Sequence, residues 1–153
     1  MFSTHPRPSP LEVPRPVTLL VVNPDTKVRQ LVEKAIPEHR RAKMFLTLSD
    51  NFASAPATPP PDVVLINLKS ETQCDFTQLS KVWLRWPGTQ VIFLSPFEDI
   101  HLWAEAVQLG AYDFLPKSVD PDQLQWVLQG ALLRRRVETN RTSSRAARNW
   151  GSI

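Results

Sequence analysis

Val17-Thr-Leu-Leu-Val-Val22 is a stretch of six residues with a single polar side chain, Thr18. A strand with one face in water alternates apolar and polar residues. A nearly unbroken apolar run is what a strand buried on both faces requires, and such strands belong to parallel sheets covered by helices on each side. Just downstream, Val28, Leu31, Val32 and Ala35 recur at helical spacing, with Thr26 as the expected cap and Pro37 as the stop. The alternation then repeats. Residues 43–48, 62–66, 90–94 and 111–115 read as four more strands. Helices are expected over 75–86, carrying Phe76, Leu79, Val82 and Trp83 on one face, and over 98–109, ended by Gly110. Asp120-Pro121-Asp122 opens the last helix with an N-cap aspartate, a proline at the first helical position and an acid in the first turn. Leu124, Val127, Leu128, Ala131 and Leu132 then point inward. Strands alternating with helices in this way specify an α/β, doubly wound sheet.

The chain has 153 residues, room for one domain, and its 42% apolar and 22% charged residues exclude disorder throughout. Of fifteen prolines, against four glycines, nine fall in two stretches that matter. Five lie between Pro6 and Pro16 and make residues 1–16 a leader expected to be extended or disordered. Four lie between Pro56 and Pro61 and leave at most a turn or two for the second crossover helix. The net charge of +3 is also local. From Met1 to Leu133 acids outnumber bases by two, whereas Arg134, Arg135, Arg136, Arg141, Arg145 and Arg148 face only Glu138. Basicity thus belongs to the C-terminal extension from Arg134 to Ile153, of which residues 138–153 are read as an Arg-rich tail expected to be a solvated linker. The competing reading is nucleic-acid binding by the arginines, which would weaken with salt and disappear on truncation after Leu133. Nucleic-acid binding by the domain itself is not expected.

Several chemistries are excluded. No apolar run reaches the ~18–20 residues that span a bilayer, and prolines stand where a signal peptide needs its apolar region, so a cytoplasmic location without membrane contact is expected. His5, His39 and His101 have no ligand spacing, and one cysteine, Cys74, makes neither a disulfide framework nor a zinc site. Cys74 reads as a half-buried apolar thiol. No glycine-rich phosphate loop and no Ser–His–Asp set at strand ends is present, so no enzyme is expected.

In a doubly wound sheet the functional crevice lies at the carboxyl ends of the strands. Those ends carry Asn23-Pro24-Asp25, Asn67, Ser95 and Lys117. The motifs around them are Leu20-Val-Val, Pro61-Asp-Val-Val-Leu-Ile-Asn67-Leu, Val91-Ile-Phe-Leu-Ser95 and Gly110-Ala-Tyr-Asp-Phe-Leu-Pro-Lys117. Together they resemble the receiver domain of bacterial two-component response regulators over residues 17–137. The resemblance implies a flavodoxin-like (βα)5 fold with a five-stranded parallel sheet of order 2-1-3-4-5 and, here, a shortened second helix.

The resemblance also implies a chemistry that the residues then deny. An active receiver has a phosphoryl-accepting carboxylate on strand three, an acidic pair for Mg²⁺ after strand one, a Ser/Thr on strand four and a Lys after strand five. Ser95 and Lys117 match, but the acceptor position is Asn67 and the acidic-pair positions are Asn23 and Pro24. A neutral amide is a far weaker nucleophile than a carboxylate, and Asn23 with Pro24 offers Mg²⁺ one neutral oxygen. The sequence therefore reads as a phosphorylation-independent pseudo-receiver with no metal or cofactor; a receiver phosphorylated by an unusual route is the alternative. Lys117 has two outcomes open to it. It closes the pocket through Asn67, Ser95 or Asp25, or it swings to solvent. Ser118 replaces the proline usual after the lysine, so that loop is expected to be remodelled, and Phe114, at the switch-aromatic position, has no hydroxyl and reads as packing. The last two helices, which receivers use for dimers and partners, offer Leu102, Trp103, Trp126, Leu133 and Val137 as an apolar face for a protein partner or homodimer.

Overall fold

A computed structural model describes residues 16–41, 43–56, 59–69 and 76–151, with side chains of the last helix as far as Glu138. The proline leader and Cys74 lie outside the described residues, apart from Pro16. Among these residues the order is β1 (Val17–Val22), α1 (Thr26–Ala35), α2 (Glu38–Arg41), β2 (Met44–Ser49), β3 (Val63–Asn67), α3 (Thr77–Arg85), β4 (Gln90–Ser95), α4 (Ile100–Gln108), β5 (Asp113–Pro116) and α5 (Pro121–Gly151). The strands form one sheet in the order β2-β1-β3-β4-β5, every pairing parallel, as expected of the doubly wound fold.

Burial on both faces explains the apolar runs. Leu19 and Val21 of β1, Val63 and Leu65 of β3, and Ile92 and Leu94 of β4 pack with α1 and α5 on one side. The intervening Leu20, Val22, Val64, Ile66, Val91 and Phe93 pack with α3, Ala106 of α4, Trp86 and Phe114 on the other. One strand thus feeds two cores because successive side chains leave opposite faces. The inward residues expected on α1 (Val28, Leu31, Val32, Ala35) and the first four on α5 are all buried.

Four local features differ from the sequence reading. The cap of α1 is Asp25 rather than Thr26: Asp25 is extended and its carboxylate accepts from Val28 N. The second crossover, across residues 50–56 and 59–62, holds only turns among the described residues, because Asn51 Oδ1 accepts from Ser54 N and ties the chain back before the prolines. A short helix, α2, instead precedes β2. Finally, α5 does not fade near Thr139. It runs to Gly151, because residues 131–150 contain neither proline nor glycine and are rich in Arg and Ala. Among the described residues no helix is long and apolar enough to cross a membrane.

Candidate functional site

The strand ends meet at the carboxyl edge of the sheet. Asn23 continues the β1–β2 pairing through its N–H to Ser49 O at 2.7 Å and then turns into the left-handed region at φ +59°. Asparagine tolerates that region better than most residues, but a residue before proline normally stays extended, so the turn is strained. Asn67 holds it. Asn67 Nδ2 donates to Asn23 O at 2.9 Å, and Asn23 Nδ2 donates back to Asn67 O at 3.2 Å. The same Asn67 amide reaches Asp25 Oδ2 at 3.4 Å. With Nδ2 facing two acceptors, the orientation of the Asn67 amide is fixed, because the flipped form would set oxygen against oxygen. Asn67 is 5% exposed, and its Oδ1 has no hydrogen-bond partner.

The turn at Asn23 carries Asp25 into the crevice. Asp25 Oδ1 caps α1 at 2.8 Å from Val28 N, while Oδ2 accepts from Lys117 Nζ at 2.9 Å. The Lys117 ammonium therefore closes on Asp25, not on Asn67 or Ser95. Burial pushes the Asp25 carboxyl up; the hydrogen bond from Val28, the hydrogen bond and charge of Lys117, and the Asn67 amide outweigh it and hold the carboxyl below its ordinary value. A depressed carboxyl stabilises the fold above its unfolded pKa, and that contribution fades as pH falls through the folded value. Asp25→Ala is expected to cost about 1 kcal/mol at pH 7, mostly through the lost cap. Because the Asp25 side chain is 46% exposed, the ion pair adds only a few tenths of that. Urea titrations at pH 7 and below pH 3 check this: the difference between native chain and variant should shrink in acid.

The remaining expected residues divide. Ser95 is fully buried and its Oγ accepts from Phe97 N at 3.2 Å, so it shapes the β4–α4 turn, and its carbonyl accepts from Lys117 N at 2.8 Å. Phe114 is buried in an aromatic cluster, with Phe76 and Phe93 centroids each 6.4 Å away. After Lys117 the chain turns through Ser118, closed by Val119 N–H to Pro116 O at 3.0 Å. Pro24 opens the capping turn and brings no side-chain ligand. Of the interface candidates, Leu102 is half-buried, packed against the cluster that includes Ala106 of α4 and Leu79 and Val82 of α3. Trp103 of α4 is 44% and Trp126 of α5 76% exposed; Leu133 and Val137 of α5 and Ile100 and Val107 of α4 are exposed as well. Trp103 Nε1 donates to Asp113 Oδ1 at 3.2 Å, which fixes its ring along β5.

One residue that anchors the second crossover was not singled out in sequence. Arg85 donates from Nη1 to Phe52 O at 3.1 Å and from Nη2 to Ala55 O at 2.6 Å, with its guanidinium over the Trp86 and Phe52 rings at 4.6 and 5.4 Å. It pins the second crossover where a helix would otherwise pack. An arginine ending an amphipathic helix beside a tryptophan was the only signal.

No family model matches the chain. The DNA-binding transcriptional regulator NtrC of Escherichia coli (strain K12) is 29% identical over 115 residues, which is 73% of this chain and 24% of NtrC. A response regulator from Thermotoga maritima matches in structure with a TM-score of 0.65 and 20% identity, over 76% of this chain and 97% of that one. The fold is a receiver fold. The signal receiver domain of an HD domain-containing protein from Pseudomonas fluorescens Pf-5 matches equally, with a TM-score of 0.65 and 23% identity over 84% of this chain and 96% of that one. The chain spans about a quarter of the length of the curated relatives it matches first. On this receiver fold, Asn67 stands at the end of β3 beside the β1 turn, and Lys117 at the end of β5 reaches across to that turn.

Proposed function

We propose that the chain is a phosphorylation-independent pseudo-receiver, a regulatory module in signal transduction that works through protein contact and catalyses no reaction of its own. The observation that carries this reading is the closed crevice. The amide at the acceptor position is spent on Asn23 and Asp25, and the ammonium that would meet a phosphoryl oxygen is spent on Asp25. Nor does the donor set fit a magnesium ion. Asn23 turns its amide N–H toward Asn67 O, Pro24 offers nothing, and the one carboxylate nearby already serves a helix cap and a lysine. Among the described residues no three His, Cys, Asp or Glu side chains stand together as a metal site.

In this reading Asp25 supplies internally the negative charge that phosphorylation would supply from outside, so Lys117 is held without a phosphoryl group. The exposed Trp103, Trp126, Leu133 and Val137 on α4 and α5 are then the face offered to a protein partner. The test is intact-mass measurement after incubation with acetyl phosphate and Mg²⁺. No added phosphoryl group is expected; a stoichiometric phosphoryl increment overturns the reading in favour of phosphorylation by an unusual route.

A further inference from the structure

The edge strand β2 is uncovered in a way the other strands are not. Phe45, Leu46 and Leu48 are 56%, 43% and 41% exposed, and they leave both faces of a strand whose outer backbone edge faces away from β1. Exposed edges are normally blunted by a charge, a proline or a bulge within the strand. Met44-Phe-Leu-Thr-Leu-Ser49 has none of these, and the β2–β3 crossover puts no helix beside it among the described residues. The charges stand outside the strand instead: Arg41 and Lys43 before it, Asp50 after it.

We propose that β2 is an interface between two copies of this chain, paired antiparallel about Leu46 to continue the sheet across a two-fold axis. A symmetric pair of identical edges must run antiparallel, with residues of like parity opposed. Centring the pair on Leu46 sets Leu46 against Leu46 and Met44 against Leu48 on one face, and Phe45 against Thr47 on the other. Every large apolar residue of the strand then meets an apolar side chain or a threonine methyl, the type of cross-strand pair that stabilises sheets. The same register brings Lys43 at the start of each strand beside Asp50 at the end of the other, so the charges that flank the edge complement each other; the Arg41 guanidinium is held instead on the carbonyls of Glu33 and Ile36. The proline-rich leader is a poorer occupant, since Pro6, Pro8, Pro10, Pro14 and Pro16 have no N–H for a sheet ladder. This interface is independent of the closed crevice and of the α4–α5 face.

Sedimentation equilibrium of the full chain should give twice the chain mass. Leu46→Lys, which opposes two ammonium groups at the centre of the seam, should return it to the mass of one chain, and Trp126→Glu should leave the doubled mass unchanged. Register is read by cross-linking in a Cys74→Ser background. Leu46→Cys should form a covalent dimer on mild oxidation, because opposed residues of an antiparallel pair sit at disulfide-compatible Cα separations. Leu48→Cys should not, since it faces Met44. A single-chain mass for the native sequence overturns the proposal, as does a doubled mass that survives Leu46→Lys or disappears in Trp126→Glu. Cross-linking of Leu48→Cys as fast as Leu46→Cys overturns it too.

Discussion

Asn67→Asp, which writes a phosphoacceptor carboxylate back into β3, is expected to destabilise the chain by about 2–4 kcal/mol at pH 7 and to restore no phosphorylation. The Asn67 Nδ2 that donates to Asn23 O at 2.9 Å and reaches Asp25 Oδ2 at 3.4 Å would become an oxygen facing both. Two donor hydrogens are removed, the strained Asn23 turn loses the bond that holds it, and two carboxylates compete for the single Lys117 ammonium. The sign with pH follows. Below about pH 4, near the ordinary carboxylate pKa, the new group is protonated and can donate to Asn23 O, so the deficit is small. As pH rises the group must ionise against Asp25, and the deficit grows to its full size. Chemical denaturation at pH 4 and pH 7 measures it. Intact mass after acetyl phosphate and Mg²⁺ should still show no phosphoryl group, because the positions of Asn23 and Pro24 supply no metal site. Equal stability of Asn67→Asp and the native chain at pH 7 would contradict the closed-crevice geometry.

Arg85→Ala carries the second large effect, a loss of about 2–3 kcal/mol. Two charge-assisted bonds to the carbonyls of Phe52 and Ala55 go, and with them the cation–π interactions with Trp86 and Phe52. The damage should be local first. Residues 50–56 lose their anchor to α3, so limited proteolysis is expected to cut there before the rest of the domain. Arg85→Lys should recover less than half of the loss, since an ammonium cannot reach two carbonyls in a fork. Arg134→Ala sets the baseline: Arg134 makes only an exposed pair with Glu138 one helical turn along, and its removal should cost less than about 0.5 kcal/mol.

Both predictions turn on residues whose neighbours are distant in sequence, and distance along the chain is what hides such pairs. The positions of Asn67, Ser95 and Lys117 at strand ends are legible because each follows an apolar run, and strand ends are where a doubly wound sheet builds its crevice. The pairing of Asp25 with Lys117 is not legible in this way. Ninety-two residues separate them, and whether they meet depends on the left-handed turn at Asn23 that swings Asp25 inward. The end of α5 escapes the sequence for a different reason. Residues 139–151 look like a linker by charge, but nothing in them stops a helix already nucleated by Asp120 and packed through Leu124 to Ala131.

Periodicity alone marks the five strands and the helices between them, and residue chemistry alone marks the missing charges at Asn23, Pro24 and Asn67, since both are local properties of the chain. Only the tertiary structure decided what fills the gap those charges leave. There a helix cap, a lysine and two amides from three strand ends settle into one hydrogen-bonded set, and hydrogen bonds between distant residues exist only once the fold has brought them together. For β2 the resemblance already implied that its six residues form an edge strand, and the structure adds that its apolar side chains are left uncovered.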